Sequence, residues 1–381
     1  MRAPGTAEKA LIVGLVAAAI AVPRPPASRA GAVEDASEPA AAKHARSTPP
    51  PYPHAKVRRY DLGEGPRSYW IFEPAEPRPE RAPVVVFLHG WFAVNPAFYG
   101  AWIDHLVRSG RTVVFPRYQN DVGTLPKDFL PNASAAIRDA LDVLATGTGH
   151  VRPDFKDVAF IGHSAGGNLS AQLAALSSDA HSGVPEPRLV FALMPGEVLP
   201  AREPTLDRIP ASTLLVVAVG EDDLLVGDIR GRQIFNEATS VPRSRKRYLL
   251  FRSDRHGYPP LLAEHAAPTG ANDRLDTGEG LFRSFQMNLG SVNALDRAGF
   301  WRIADAALAT ASANQTFDDA IRDTDRFTHL GYWSDGRKVT PPLISDNPSS
   351  LPRVSLPNGI RLIPWSASAR IDEASRETRV R

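Results

Sequence analysis

Ser164 is the residue whose neighbours in the sequence most clearly indicate chemistry. It lies within GHSAG at 162–166, which follows an apolar run at 158–161 and precedes a segment rich in alanine and leucine. A G-x-S-x-G pattern between a strand and a helix is typical of a nucleophile elbow, a tight turn that exposes the serine hydroxyl above a sheet. The start of the helix points backbone N–H groups at the same space. The pattern therefore predicts a serine nucleophile and an anion-stabilising site at one turn.

A serine hydroxyl is a weak nucleophile at neutral pH. The chain must therefore also supply a base that accepts the proton and a third group that orients this base. Because such groups come from separate parts of a chain, the fold must bring them to Ser164. The elements around the motif decide which histidine and which carboxylate can reach it.

Beyond residue 57 the sequence alternates short apolar runs with helical patterns. Runs of strand length occupy 57–62, 68–72, 84–88, 112–115, 158–161, 189–194, 214–219 and 248–251. Helical patterns occupy 97–109, 132–145, the segment after Ser164, 228–238 and 292–313. Strands that alternate with helices imply right-handed crossovers and a mostly parallel sheet covered on both faces. We predict an α/β fold with an eight-stranded sheet, in which the serine follows the fifth strand.

Three motifs in this framework carry a resemblance to a known family. They are GHSAG after the fifth strand, FLHGW at 87–91 after the third, and acid and base positions after the seventh and eighth. On these motifs residues 57–265 resemble the α/β-hydrolase family. Within it the chain is similar to secreted or plant-type esterases such as chlorophyllases and polyester-cleaving hydrolases, which also carry an HG turn after the third strand.

The resemblance implies the order serine, acid, histidine, with each residue at the carboxyl end of its strand. The family places its acid three residues past a glycine such as Gly220, which is the position of Asp223. Asp222 is one residue away from that position and is the alternative. We expect Asp223 to orient the catalytic histidine.

Two histidines follow the last predicted strand. His256 comes a few residues after this strand and precedes a glycine, as a catalytic histidine on a loop often does. His265 lies nine residues further on in a segment that looks helical, and it is the alternative. We expect His256 to be the base.

Attack on an acyl group also requires donors for the oxyanion, each of which contributes about 3–4 kcal/mol. One donor should be the backbone N–H of Ala165, directly after the nucleophile. The resemblance assigns the second to the N–H of Trp91, in the loop after the third strand. Aromatic residues near this loop either wall the acyl pocket or pack the loop on the next helix; they are Trp91, Phe92, Tyr99 and Trp102.

Composition excludes several other classes of function. The chain has 381 residues, 43% of them hydrophobic, so it can bury a large core, and its formal net charge of +2 gives no reason to expect nucleic acid as a partner. It contains no cysteine, which excludes disulfides, thiol nucleophiles and thiolate metal sites. We expect no metal or organic cofactor.

The N-terminal residues resemble an export signal. Arg2 and Lys9 precede an apolar run at 10–22 that ends in small residues, and this run is shorter than the roughly 20 residues of a membrane-spanning helix. We expect a signal peptide at 1–32 and a secreted or periplasmic protein without stable membrane insertion; an uncleaved anchor is the alternative. Residues 33–56 are rich in alanine, proline and charge and are predicted to form a disordered linker.

The domain itself is expected at 57–320, followed by a C-terminal extension at 321–381. The resemblance implies a serine hydrolase that cleaves small-molecule or polymeric carboxylic esters through an acyl-enzyme, and the N-terminal pattern adds the expectation that it is exported. Amide cleavage or acyl transfer on the same triad remains an alternative because the motifs do not specify the acceptor. A hydrolase fold without catalysis, used for binding, is a second alternative, and the oligomeric state is left open.

Overall fold

A computed structural model of the chain describes residues 51–120, 124–197, 204–278, 291–320 and 328–354. The expected signal peptide at 1–32 lies outside the described residues, as do most of the expected linker and the tail from 355 to 381. Among the described residues, no helix has the length and apolar character needed to cross a membrane.

A nine-stranded sheet forms the centre of the described molecule. Its strands are β1 (Lys56–Leu62), β2 (Tyr69–Ala75), β3 (Arg81–Leu88), β4 (Thr112–Pro116), β5 (Arg152–His163), β6 (Leu189–Leu193), β7 (Leu214–Gly220), β8 (Lys246–Phe251) and β9 (Leu343–Ser345). Their order across the sheet is β1-β2-β4-β3-β5-β6-β7-β8-β9. The strands from β4 to β8 in this order pair in parallel, whereas β1, β2 and β9 pair antiparallel at the two edges.

The predicted mostly parallel α/β sheet is confirmed, with one strand more than expected. The additional strand, β9, pairs antiparallel with β8, so that Leu249 lies opposite Ile344. The expected domain boundary at residue 320 is therefore wrong, because part of the expected C-terminal extension completes the sheet. Arg232 also binds the main-chain oxygens of Leu351 and Pro352, which ties the segment after β9 to the domain.

Helices cover both faces of the sheet. They are α1 (Gly100–Arg108), α2 (Pro126–Thr146), α3 (Ala165–Leu176), α4 (Ile229–Glu237), α5 (Arg302–Ser312) and the short α6 (Phe317–Ala320). A 3₁₀ turn at Pro96–Tyr99 leads into α1, and a π-helical segment at Leu295–Trp301 leads into α5. Helix α2 begins earlier than the pattern indicated because Pro126 occupies its first turn, where a missing N–H costs nothing, and the helix also accommodates Pro131.

Alternating side chains of the strands divide the core into two layers. On β3, Val85 and Phe87 pack in the layer that contains residues of α1 and α5, whereas Val86 and Leu88 pack in the layer of α2, α3 and α4. Strands buried on both faces explain the continuous apolar runs in the sequence. Since β3, β5, β6, β7 and β8 are parallel, their carboxyl ends meet at one edge of the sheet.

The last residues of the expected linker pack on the domain. The Tyr52 hydroxyl lies 2.9 Å from Nδ1 of His105 on α1, and the Ala55 N–H donates to the Glu76 carbonyl at 2.8 Å. Disorder was therefore the wrong expectation for residues 52–55, which are held by hydrogen bonds to two parts of the fold.

Candidate active site

Ser164 lies at the turn between β5 and α3 in a backbone conformation that few residues adopt. Its φ is +56° and its ψ is −121°, and it is the N-cap of α3. A non-glycine residue at positive φ carries strain and marks a position that the surrounding structure holds in place. The turn is anchored on the next strand, because the Ser164 N–H donates to the Leu193 carbonyl at 3.0 Å. The half-buried side chain is thereby presented at the carboxyl edge of the sheet.

The two glycines of the motif are required by close backbone packing. A Cβ added to Gly162 would lie 2.1 Å from the Gly166 carbonyl oxygen, and one added to Gly166 would lie 2.1 Å from the Leu88 carbonyl oxygen. Neither distance is possible for a real side chain, and the atoms in the way belong to the backbone. The tight turn thus depends on glycine two residues before and two residues after Ser164.

His265 connects the serine to a buried carboxylate. Its Nε2 lies 3.0 Å from Ser164 Oγ, and its Nδ1 lies 2.8 Å from Asp223 Oδ2. Since a carboxylate only accepts hydrogen bonds, Nδ1 carries the hydrogen, and Nε2 is free to accept from the serine hydroxyl. This is the arrangement in which an imidazole takes a proton from a nucleophile.

Asp223 is held in place by the backbone around it. Its side chain is fully buried, and its second oxygen accepts the N–H groups of Leu225 at 3.1 Å and Val226 at 3.0 Å. The residue follows β7 directly, so the end of the strand and the following turn determine its direction. Asp222, the alternative, instead accepts from Ser253 and Arg255.

His256 does not reach the serine, so our expectation for the position of the base is wrong. Its Nε2 lies 2.7 Å from Asp335 Oδ2, and its Nδ1 accepts from Arg337 at 3.0 Å. The reason is a loop excursion after β8: Asp254 and Leu261 form a two-way backbone bridge, with N–H to O distances of 2.7 and 2.9 Å. The first histidine lies in the excursion, and the second lies beyond the bridge, where the chain has returned.

The segment after Leu261 is hydrogen-bonded to the backbone next to Asp223. The Ala263 carbonyl accepts the N–H of Asp222 at 3.1 Å, which brings the following residues to the end of β7. His265 itself lies in a turn at 265–268 rather than in the helix that its sequence suggested. Pro259 and Pro260 are the signal that points to this geometry, because two consecutive prolines disfavour the continuation of a strand or helix.

The loop after β3 lies against the nucleophile. A Cβ on Gly90 would be 3.3 Å from the Ser164 Cβ, so this loop and the elbow are in contact. The Gly90 N–H donates to the Tyr99 hydroxyl at 2.9 Å and the Phe92 N–H to Gln119 Oε1 at 3.0 Å. Between them, the N–H of Trp91 has no hydrogen-bond partner among the described residues.

Ala165 begins α3, and its N–H is one of the donors that a helix leaves unpaired at its first turn. It likewise has no partner within the described parts of the chain. Trp91 and Ala165 therefore each have a backbone donor to offer. Their role as an oxyanion hole stays a prediction.

Burial sets the charge of the histidine at the start of this loop. His89 is fully buried and stacks on Tyr118 with ring centroids 4.1 Å apart. Burial lowers the pKa of His89 to about 4, although its ring nitrogens lie 2.6 Å from the carbonyl oxygens of Gly90 and Arg117, because a neutral ring can donate to only one of them. The ring is thus neutral at physiological pH and supports the loop without placing a charge beside the serine.

The aromatic residues near this loop differ in burial, and not all of them can line a substrate pocket. Trp102 and Tyr99 are fully buried, and Trp102 packs edge-on against Phe87 in the core, so it does not wall a pocket. Trp91 is half-buried and packs edge-on against Phe129 of α2. Among the described residues, no group of three or more histidine, aspartate or glutamate side chains is arranged to hold a metal.

Comparison with known proteins gives one family match. Residues 85–229 match a family model described as the alpha/beta hydrolase fold. The matched segment runs from β3 through the loop at Trp91, the elbow and Asp223 to the start of α4. His265 lies after it. No curated protein matches the chain.

Proposed function

We propose that this chain, whose residues 85–229 match the α/β-hydrolase family model, is a hydrolase that cleaves carboxylic esters through an acyl-enzyme on Ser164. The observation that carries this proposal is the position of His265, with one ring nitrogen at the Ser164 hydroxyl and the other at the buried Asp223. A nucleophile, a base and an orienting acid are then in contact without any rearrangement.

In the first half of the proposed reaction, Ser164 Oγ attacks the ester carbonyl carbon as its proton passes to His265 Nε2. The carbonyl oxygen becomes an oxyanion and accepts hydrogen bonds from the backbone N–H groups of Trp91 and Ala165. Asp223 remains ionised and stabilises the imidazolium through Nδ1–H. The tetrahedral intermediate collapses, the bond to the alkoxy oxygen breaks, and Nε2 returns the proton to the departing alcohol.

In the second half, water takes the place of the alcohol. Nε2 of His265 accepts a proton from the water as its oxygen attacks the acyl carbon, and the same two N–H groups hold the second oxyanion. When this intermediate collapses, the bond to Ser164 Oγ breaks and the serine regains its proton. The products are a carboxylic acid and an alcohol, and the enzyme returns to its starting state.

The surroundings of the hydroxyl support an acyl substrate of modest size. A Cβ on Gly196 would lie 3.4 Å from Ser164 Oγ and 3.3 Å from a methyl of Val226, so the glycine leaves space beside the nucleophile that an apolar side chain bounds. Leu224, next to Asp223 in the chain, and Ile229 expose 48% and 42% of their surface. Exposed apolar side chains on the segment after β7, together with the space beside Gly196, suit the ester of a small molecule or of a polymer chain.

We further propose that the protein is exported, on the basis of the charged and apolar pattern at 1–32. Expression of the full chain with a C-terminal tag in a bacterial host, followed by fractionation and N-terminal sequencing, tests this. A shortened chain outside the cytoplasm is the expected result. An intact chain retained inside the cell would overturn the proposal.

The test of the ester hydrolase proposal is a series of p-nitrophenyl esters from acetate to palmitate, with the full chain and with Ser164→Ala. We expect cleavage of the shorter esters, a burst of p-nitrophenol on mixing, and a loss of about 10⁶-fold in kcat for the variant. Added alcohol acceptors report acyl transfer in the same assay. Equal turnover by both proteins, or none by the wild type, would contradict the proposal.

A further inference from the structure

His163, the residue before the nucleophile, lies behind the triad and contacts its histidine. The side chain is buried at 4% exposure, and its ring centroid is 4.8 Å from that of His265. Its Nε2 lies 2.8 Å from the main-chain oxygen of His265, and its Nδ1 lies 2.8 Å from the Tyr99 hydroxyl. The end of β5 is therefore bonded to the backbone, not the ring, of the base.

The direction of each hydrogen bond follows from the charge of His163. Burial, together with the neighbouring His265, lowers the pKa of His163 well below its ordinary value, so the ring is neutral and carries one N–H. The carbonyl oxygen of His265 only accepts, so this hydrogen is on Nε2. Nδ1 is consequently the acceptor, and the hydroxyl of Tyr99 must donate to it.

Tyr99 links His163 by hydrogen bonds to the loop after β3. Burial raises the pKa of Tyr99, so its hydroxyl stays protonated and can donate to His163. The same oxygen accepts the Gly90 N–H at 2.9 Å. One directed series therefore runs from Gly90 N–H to Tyr99, from Tyr99 to His163, and from His163 to the carbonyl of His265.

We propose that His163 and Tyr99 are positioning residues that align the base with the oxyanion loop: they hold the backbone of His265 and that of Gly90, next to Trp91, through one series of hydrogen bonds. The inference rests on the proposed function, because it assigns these residues a role in that same site. Neither side chain touches the reacting atoms.

The position of His265 in the chain makes such support necessary. The residue lies in a turn well beyond the end of β8 at Phe251, with no strand or helix of its own. Two residues before it, the bond from Asp222 N–H to the Ala263 carbonyl ties the chain to the end of β7. Within the described ranges, His163 is the side chain that hydrogen-bonds the main chain of His265, and a displacement of 1 Å in a catalytic group costs about 100-fold in rate.

Three variants separate positioning from packing. His163→Gln places an amide N–H near the site of Nε2 and retains the bond to the His265 carbonyl, whereas His163→Phe fills the space without a donor. Tyr99→Phe removes the hydroxyl alone. We expect His163→Phe to lower kcat by about 100-fold with little change in KM, and His163→Gln to recover most of that loss. Tyr99→Phe should lie between them, because Gly90 N–H loses its acceptor.

The kcat values are normalised to active sites counted by burst titration, so that misfolded protein does not contribute. A purely structural role would lower the melting temperature and the active fraction in both His163 variants and leave the normalised kcat unchanged. The proposal is overturned if His163→Phe retains the wild-type kcat within a few-fold, or if His163→Gln is as slow as His163→Phe.

A second measurement does not depend on activity. Nitrogen-15 NMR of the imidazoles in the full chain, with the His163 signals assigned by their loss in His163→Gln, reports which ring nitrogen carries hydrogen. We expect hydrogen on Nε2 alone from pH 8 to pH 5. A proton on Nδ1 in this range would overturn the series. If the wild type cleaves no ester while this pattern is found, the proposed function fails and the hydrogen-bond series stands.

Discussion

Two histidine–aspartate pairs involve the segment of the chain that follows β8, and their contact distances are almost equal. His265 is 2.8 Å from Asp223 and His256 is 2.7 Å from Asp335. The pairs differ in what faces the other ring nitrogen. At His265 it is the hydroxyl of Ser164, whereas at His256 it is the guanidinium of Arg337.

This difference decides which ring can act as a base. Nδ1 of His256 already accepts a hydrogen bond from Arg337, so its lone pair is occupied by a donor that cannot give up its proton. The acids differ as well, since Asp223 is fully buried and the Asp335 side chain is one third exposed. A histidine–aspartate contact alone does not identify a catalytic base; the group at the opposite nitrogen does.

The largest effect that distinguishes the two pairs should come from the histidines. We expect His265→Ala to lower kcat on a short ester by about 10⁶-fold, because Ser164 then has no proton acceptor. His256→Ala, its matched control, should remain within a few-fold of wild type. Steady-state kinetics of both purified variants measures this, and the reverse ranking would restore His256 as the base.

The two aspartates should show the same ranking as the histidines, with a smaller loss in kcat. Asp223→Asn leaves the shape of the site but no longer selects the Nδ1–H tautomer of His265, which costs about 10⁴-fold in kcat. Asp335→Asn disturbs contacts that do not reach Ser164 and should change kcat by no more than a few-fold. If the two variants lose activity equally, Asp223 has no special role.

The excursion at His256 should instead matter for stability. Asp254 is buried and accepts from Trp333 Nε1 at 3.0 Å, from the backbone and hydroxyl of Thr340, and from the His256 N–H. Asp254→Ala leaves these donors without an acceptor, so we expect a loss of about 3 kcal/mol in the free energy of unfolding. Denaturant unfolding measures it, with the exposed Asp346→Ala as the control.

The Asp254 carboxylate should also make the free energy of unfolding depend on pH in the acidic range. Burial alone would raise the pKa of Asp254, but the hydrogen bonds from Trp333, Thr340 and His256 outweigh it and lower the pKa below the ordinary 3.8. Its stabilisation is therefore present above about pH 4 and is lost as the pH falls below that value. An Asp254→Ala deficit that stays constant from pH 6 to pH 2 would contradict this account.

His163 should give the smallest effect, a change in the slope of stability against pH. The unfolded chain binds a proton at this histidine below about pH 6.5, whereas the folded chain does not because the pKa is lowered. The free energy of unfolding therefore decreases as the pH is lowered below 6.5, by up to about 1.4 kcal/mol per pH unit from this residue. His163→Gln removes that term, and unfolding curves at pH 6.5, 5.5 and 4.5 should show it. Parallel slopes for the two proteins would exclude a neutral buried His163.

The sequence predicts the parts of the site that lie directly at strand ends. Ser164 follows β5 and Asp223 follows β7, so the parallel sheet alone brings them to the same edge. His265 could not be chosen over His256 in this way, because its position depends on a loop that leaves the sheet and returns through the Asp254–Leu261 bridge. The distance in sequence from the last regular element is what limits the prediction.

Strand β9, at the edge of the sheet, could not be predicted from the sequence for a similar reason. The buried parallel strands appear in the sequence as continuous apolar runs, such as that of β3 (Arg81–Leu88). Strand β9 has three half-buried residues and no periodic pattern of its own, and it is specified by its antiparallel pairing with β8. A contact of this kind is determined by the partner strand rather than by the local sequence.

The most direct test of the central claim, that His265 and not His256 activates Ser164, is covalent labelling with a fluorophosphonate. The full chain, His265→Ala and His256→Ala are compared by their second-order labelling rates, and peptide mass spectrometry locates the modified residue. The account predicts that the wild type and His256→Ala are labelled on Ser164 at similar rates, and that His265→Ala is slower by several orders of magnitude. Rapid labelling of His265→Ala, or slow labelling of His256→Ala, would contradict it.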